Sequence, residues 1–182
     1  MDIYEAINKR RTVRIFKKGV PDAVLRKIIL AGSKAPNPGN AQPWEFILVT
    51  DPNIKAQIAE QKYRMQIKNG ATEEAAQAQR NVYQNSSVCA VCFKKGGSAN
   101  IAAWLAAMNM TLATTAEGYN SVMSTINGEP REAAEKVLGL PPEYELATVM
   151  VIGEPVSVPD KPRGAATRPE FDWLHINKFG AK

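Results

Sequence analysis

Residues 99–117 make a helical stretch with no polar face. Ile101, Trp104, Leu105, Met108, Met110 and Leu112 are spread around nearly the whole cylinder, and a helix apolar on every side has to be covered on every side. The spacing predicts the buried central helix of the fold. Asn109 lies in that apolar company, so its amide needs a partner on a neighbouring element. Gly118 ends the helix with a residue free to take the left-handed conformation.

The other elements follow in chain order. Asp2 with Glu5 is a capping-box pair and predicts a first helix through Lys9. After Gly19-Val20-Pro21, a second helix over 22–33 carries Val24, Leu25, Ile28 and Ile29 as its apolar stripe. Strands are predicted over 45–50, 87–94 and 144–153; the last is almost entirely apolar and therefore buried on both faces. Asp51-Pro52-Asn53 is turn chemistry that doubles as a helix start. Helices over 54–68 and 72–84 are polar and rich in alanine and glutamine. They read as a mobile lid over a pocket or as an ordinary surface pair. Residues 119–128 read as a loop, and Pro130 opens a short helix that Gly139 closes. Beyond Pro155 the chain becomes proline-rich, and residues 171–179 have too little regular structure to fold unaided. That tail needs a surface to lie on. The chain reads as a single domain over 1–182.

Between the second helix and the first of these strands lies Ala35-Pro-Asn-Pro-Gly-Asn-Ala-Gln-Pro-Trp-Glu-Phe46. Its three prolines and one glycine hold the backbone away from helix and remove N–H groups. An extended chain would point Asn40 and Gln42 the same way. The stretch reads either as a preformed ligand loop, its paired amides suited to a planar ligand with mixed donors and acceptors, or as a proline-stiffened connector.

Composition narrows the class. With 45% hydrophobic and 23% charged residues, the chain has the make-up of an ordinary globular protein. It has no apolar run of membrane-spanning length and no apolar signal core near Met1, which leads us to expect a cytoplasmic protein with no membrane partner. The net charge of +5 favours anionic partners such as a phosphorylated cofactor. Lys9, Arg10, Arg11, Arg14, Lys17 and Lys18 crowd into ten positions, a cluster that reads as a solvated face or an anion site. Nucleic-acid binding would want further basic stripes with interleaved aromatics, and none follows. Cys89 and Cys92 have redox spacing but lie in a predicted strand, where residues three apart face opposite sides and the thiols cannot pair. These two cysteines and the distant His175 make no zinc site.

Taken together, these pieces resemble the nitroreductase family of FMN-dependent oxidoreductases. The resemblance rests on Arg10-Arg-Thr-Val-Arg-Ile-Phe16, on the 35–44 stretch ending Gln42-Pro-Trp44, on Asn109-Met-Thr-Leu112 followed by Gly118-Tyr-Asn-Ser121, and on Leu138-Gly-Leu-Pro141, Ile152-Gly-Glu-Pro155 and Arg168-Pro169 with His175. It implies an α+β fold: an antiparallel sheet flanked by helices, built as an obligate homodimer whose exchanged C-terminal extension, residues 156–182, wraps the partner. It places FMN at the dimer interface. Arg10, Arg11 and Thr12 would bind the phosphate and ribityl chain, with Arg168 or Arg163 closing the phosphate site, and Arg14 would approach the pyrimidine edge. Asn37, Pro38, Asn40 and Gln42 would come from the partner subunit. Met123, Ser124 and Thr125 would lie near flavin N5.

The implied activity is ping-pong electron transfer from NAD(P)H through flavin N5 to a small electron-poor acceptor, a nitroaromatic or quinone, with no obligatory protein acid, base or nucleophile. Lys62, Arg64 and Lys68 would form a positive rim for the nicotinamide phosphates. Alternatives within the resemblance are a dehalogenase, a flavin-fragmenting enzyme, a natural-product dehydrogenase or a non-catalytic flavin-binding protein. The deiodinase branch uses a lid Glu, Tyr and Lys to chelate a zwitterion; Glu60, Tyr63 and Lys68 supply the residue types at a different spacing.

Overall fold

Asp2 accepts the Glu5 backbone N–H at 2.9 Å, and the Glu5 carboxylate takes the Asp2 N–H in return. This capping box starts α1 (Ile3–Lys9). The structure, a computed structural model, describes residues 1–160, 169 and 172–180. After α1 come β1 (Phe16–Lys18), α2 (Asp22–Gly32), a 3-10 turn (Pro38–Asn40), β2 (Trp44–Val49), α3 (Pro52–Lys68), α4 (Glu73–Asn81) and β3 (Ser87–Lys94). Then follow α5 (Ala99–Ala116), β4 (Asn120–Ser124), α6 (Gly128–Val137) and β5 (Tyr144–Pro155). Asp51 caps α3 through the Asn53 N–H, and Thr72 caps α4 through the Ala75 N–H.

The sheet is antiparallel throughout its strand pairs, and β5 is its spine. One edge of β5 takes β3, which in turn pairs with β2; the other takes β4 and, at the strand's end, β1. The alternation of side chains along a strand sends Cys89, Val91 and Phe93 to a face covered by Leu25 and Ile28 of α2 and the alanines of α5. Val88, Ala90 and Cys92 face the opposite layer, with Ile58, Ala59 and Met65 of α3, Tyr83 and Ala134 of α6. The expected helix–sheet–helix class is therefore the observed one. Cys89 and Cys92 do lie on opposite faces, and burial pushes both thiols up to about 12.

Two strands escape the sequence reading. Residues 120–124, expected within a loop, pair with β5 from Asn120↔Gly153 to Ser124↔Val149. Asn120, Ser121 and Ser124 are buried polar residues, so no apolar alternation marks the strand. β1 is a short edge strand whose Lys17 and Lys18 meet Glu154. It lies so close to β5 that a Cβ added to Gly153 would be 2.6 Å from the Lys18 carbonyl oxygen.

Full enclosure of α5 is also corrected. Its sheet-facing side is alanine and threonine, with Ala102, Ala103, Ala106, Ala107 and Met110 buried. The hydroxyls of Thr111, Thr114 and Thr115 each donate to the carbonyl four residues back. Asn109 Nδ2 donates to Ala31 O at 3.3 Å, the neighbour its setting demanded. The opposite side is open in the single chain: Ile101 is 61% exposed, and Leu105 and Met108 are 39%. Trp173, Leu174, Ile176 and Phe179 of the tail are exposed too. The 54–84 segment is more firmly packed than its composition suggests, since Ile58 and Tyr83 are almost fully buried.

Candidate functional site

Arg10 is the residue at which the chain leaves α1, in extended conformation. Thr12 bridges Ser121 of β4, and the Val13 N–H donates to the Ser121 carbonyl at 3.2 Å. An extended segment alternates its faces, so Val13 goes into the core at 3% exposure while Arg10, Thr12 and Arg14 share the other side. There they line a cavity of about 380 Å³ together with Met108 and Thr111 of α5 and Ser121, Val122 and Met123 of β4. A smaller cavity of about 180 Å³ adjoins it through Thr12 and Arg14 and reaches Ala78, Gln79 and Ser157.

The charge of the arginine-lined cavity is uncompensated: among the described residues, neither Arg10 nor Arg14 pairs with a carboxylate. Lys62 adds to it. This α3 side chain is 8% exposed, and its Nζ donates to the Thr125 carbonyl at 2.6 Å. Burial, and then the Arg14 charge, lower its pKa to about 8. Next to that bond, the Tyr83 hydroxyl donates to Ser124 Oγ at 2.8 Å, and burial pushes its ionisation up. Cations, hydroxyls and thioether walls together suit a flat ligand with an anionic end. The donor set fits FMN.

Comparison with known proteins then decides the family. The sequence model of the Nitroreductase family matches residues 7–154. This chain belongs to the nitroreductase family. It is 29% identical to the iodotyrosine deiodinase of Thermotoga neapolitana over 183 residues, 92% of this chain and 94% of that protein. The iodotyrosine deiodinase of Haliscomenobacter hydrossis is 39% identical over 72 residues, 38% of this chain and only 32% of that relative's length. Among solved structures, oxidized iodotyrosine deiodinase bound to FMN and 3-iodo-L-tyrosine superposes with a TM-score of 0.75 at 26% identity, covering 93% of this chain and 98% of that one. An FMN-dependent nitroreductase from Clostridium difficile shares the fold at a TM-score of 0.77 and 20% identity, covering 96% and 98%.

Within this nitroreductase-family chain, the structure gathers some expected site residues and separates others. Arg10, Thr12, Arg14 and Met123 converge on the cavity. Ser124 and Thr125 are absent from the cavity lining; their side-chain oxygen and carbonyl are held by Tyr83 and Lys62. Arg11 turns away: its Nη1 donates to the carbonyls of Asn8 and Arg10 at 2.7 and 2.9 Å and closes the end of α1. Asn37, Pro38, Asn40 and Gln42 are absent from the cavity lining of their own chain. Their loop is a 3-10 turn rather than an extended strand, with left-handed Asn40 (φ 53°) and Gln42 (φ 47°). The Gln42 N–H is pinned by Asn37 Oδ1 at 2.7 Å. The same-side argument for the two amides therefore fails. Arg163 and Arg168 lie outside the described residues.

The expected positive rim is not a free one. Lys62 is buried, Arg64 pairs with Glu60 at 3.2 Å and Lys68 with Glu129 at 3.1 Å. Glu60 and Tyr63 do meet a cation, but it is Arg80: its Nη1 lies 2.9 Å from Glu60 Oε2 and its guanidinium 5.0 Å from the Tyr63 ring centre. Arg80 and Tyr83 were not singled out as site neighbours, although they fall in the 54–84 segment that read as a lid over a pocket or as an ordinary surface pair. Thr111 faces the cavity from α5, and nothing in its sequence setting distinguishes it from Thr114 and Thr115 of the same helix.

Proposed function

We propose that this chain is a cytoplasmic, homodimeric FMN-dependent oxidoreductase that passes electrons from NAD(P)H to a small electron-poor acceptor such as a nitroaromatic or a quinone. The observation that carries the reading is the cavity under Arg10, Thr12, Arg14 and Met123, whose cations no carboxylate among the described residues neutralises. Arg10 and Thr12 would hold the phosphate and ribityl chain, since guanidinium donors fit phosphate oxygens in pairs. Arg11 contributes through the helix end it closes, and Arg163 or Arg168 of the C-terminal arm supplies a further phosphate cation. Arg14 would set a fixed positive charge at the pyrimidine edge, favouring the reduced, more anionic state. Met123, Ser124 and Thr125 would lie along the ring edge, with Met108 and Val122 giving the cavity an apolar wall. Asn37, Pro38, Asn40 and Gln42 of the second subunit cover the ring; the exposed stripe of α5 supports such pairing. Bound FMN would supply the two-electron redox chemistry between nicotinamide and acceptor.

Anaerobic titration of the FMN-loaded protein with NADH and with NADPH tests this. Bleaching of the flavin band by either, with recolouring by a quinone or nitroaromatic, is expected; a bound flavin that stays oxidised contradicts it.

A second reading is supported by the Glu60–Arg80 pair over Tyr63 and by the deiodinase relatives: reductive dehalogenation of an aromatic amino acid. Glu60 would take the ammonium and Arg80 the carboxylate of the zwitterion. Iodide release from 3-iodotyrosine with a chemical reductant separates it from the first.

A further inference from the structure

We propose that Lys62 is a positioning residue of the flavin site whose positive charge also acts on the redox group; this rests on the FMN reading above. The first observation is the grip of one helix face on the end of β4. Lys62 Nζ holds the Thr125 carbonyl at 2.6 Å, and Met65 Sδ, almost one turn on, receives the Asn127 N–H at 3.1 Å. Tyr83 holds Ser124 just before them. Residues 124, 125 and 127 are thus fixed from the 54–84 helices, immediately after Met123 leaves the cavity wall.

The second observation is that the grip uses a charge it does not need. A neutral donor would bind a carbonyl without the desolvation cost of an ammonium. Lys62 instead buries a cation that no carboxylate among the described residues neutralises, in the field of Arg14. The Arg14 charge, which lines the cavity, and the Lys62 charge behind it oppose each other in the ligand-free chain. Negative charge arriving on a ligand between the arginine segment and β4 relieves both, and the reduced flavin carries more of it than the oxidised. Lys62 therefore tilts the bound flavin toward reduction while its bond fixes the backbone along the ring edge.

The test equilibrates FMN-loaded wild type, Lys62→Met, Lys62→Gln, Lys62→Arg and Tyr83→Phe with a reference dye at one fixed potential. It reads the ratio of reduced to oxidised bound flavin. A charge lost within several ångströms at protein-like dielectric corresponds to a fall of about tenfold, expected in Lys62→Met and Lys62→Gln. Lys62→Arg keeps the ratio. So does Tyr83→Phe, which removes the neighbouring neutral bond and no charge. If Lys62→Met does not fold, Lys62→Gln, which retains an amide donor, makes the same comparison. Wild-type ratios in both neutral variants, or an equal fall in Lys62→Arg, overturn the inference and leave the flavin reading intact. A wild type that takes up no FMN overturns both.

Discussion

The Tyr83 hydroxyl donates to Ser124 Oγ at 2.8 Å across a sequence gap of 41 residues, with both side chains buried. This bond ties the turn after α4 to the last residue of β4. Losing one buried partner leaves the other unpaired, which costs more than the bond's net contribution. Ser124→Ala should therefore destabilise the chain by about 1–3 kcal/mol, and Tyr83→Phe by about 1 kcal/mol. The double variant should be less destabilised than the sum, because the unpaired group is gone. Urea denaturation of the four proteins checks this.

Lys62 makes stability depend on pH. Its folded pKa of about 8 lies below the ordinary 10.5. Below pH 8 the folded and unfolded chains both hold the proton, so the penalty of the buried charge is fully present. Between about 8 and 10.5 the unfolded chain holds it and the folded chain does not, so stability rises with pH. Across this window the urea midpoint of the wild type should gain on that of Lys62→Met. A gap that stays constant from about pH 7.5 to about pH 9.5 would contradict the linkage.

Gly153 should not tolerate a side chain. An added Cβ would meet the Lys18 carbonyl oxygen at 2.6 Å and the Phe16 ring at 2.9 Å. A carbonyl in a paired strand cannot swing aside as a flexible side chain can. Gly153→Ala should cost about 2 kcal/mol by overpacking, read as a lowered thermal midpoint, while Gly70→Ala probes a position with open space and a left-handed φ of 80°.

These cases show how much was legible. The helices were, because capping residues, prolines and apolar spacing are local signals: Asp2 with Glu5, Asp51 with Pro52, and Gly118 each do their work within a few residues. β3 and most of β5 were legible as long apolar runs. β4 was not, since Asn120 and Ser121 are buried by tertiary pairing with β5 and look like loop residues in isolation. The arginine side of the site was legible through its motif, and the alternation of Arg10, Thr12 and Arg14 follows once the segment is extended. The helix side was hidden. Lys62 looked like a surface lysine and Arg80 like part of a solvated helix, because the residues they meet, Thr125 and Glu60 with Tyr63, become neighbours only after the chain closes.

The open stripe on α5 predicts the assembly. Ile101, Leu105 and Met108 recur at helical spacing on one exposed side, with Ile3 and Ile7 of α1 also exposed. Burying such a stripe against a second copy is the proposal, and a charge placed in it should oppose association. Leu105→Lys should shift sedimentation from dimer toward monomer and weaken FMN retention with it. A wild type that sediments as a monomer when loaded with FMN would contradict the homodimer.

FMN binding by fluorescence quenching is the most direct test of the central claim. Saturation at one flavin per chain is predicted for the wild type, with affinity at least tenfold weaker in Arg14→Ala, about the value of one charge-assisted contact. Absence of saturable quenching, or equal affinity in the two proteins, would show that the arginine-lined cavity is not where a flavin binds.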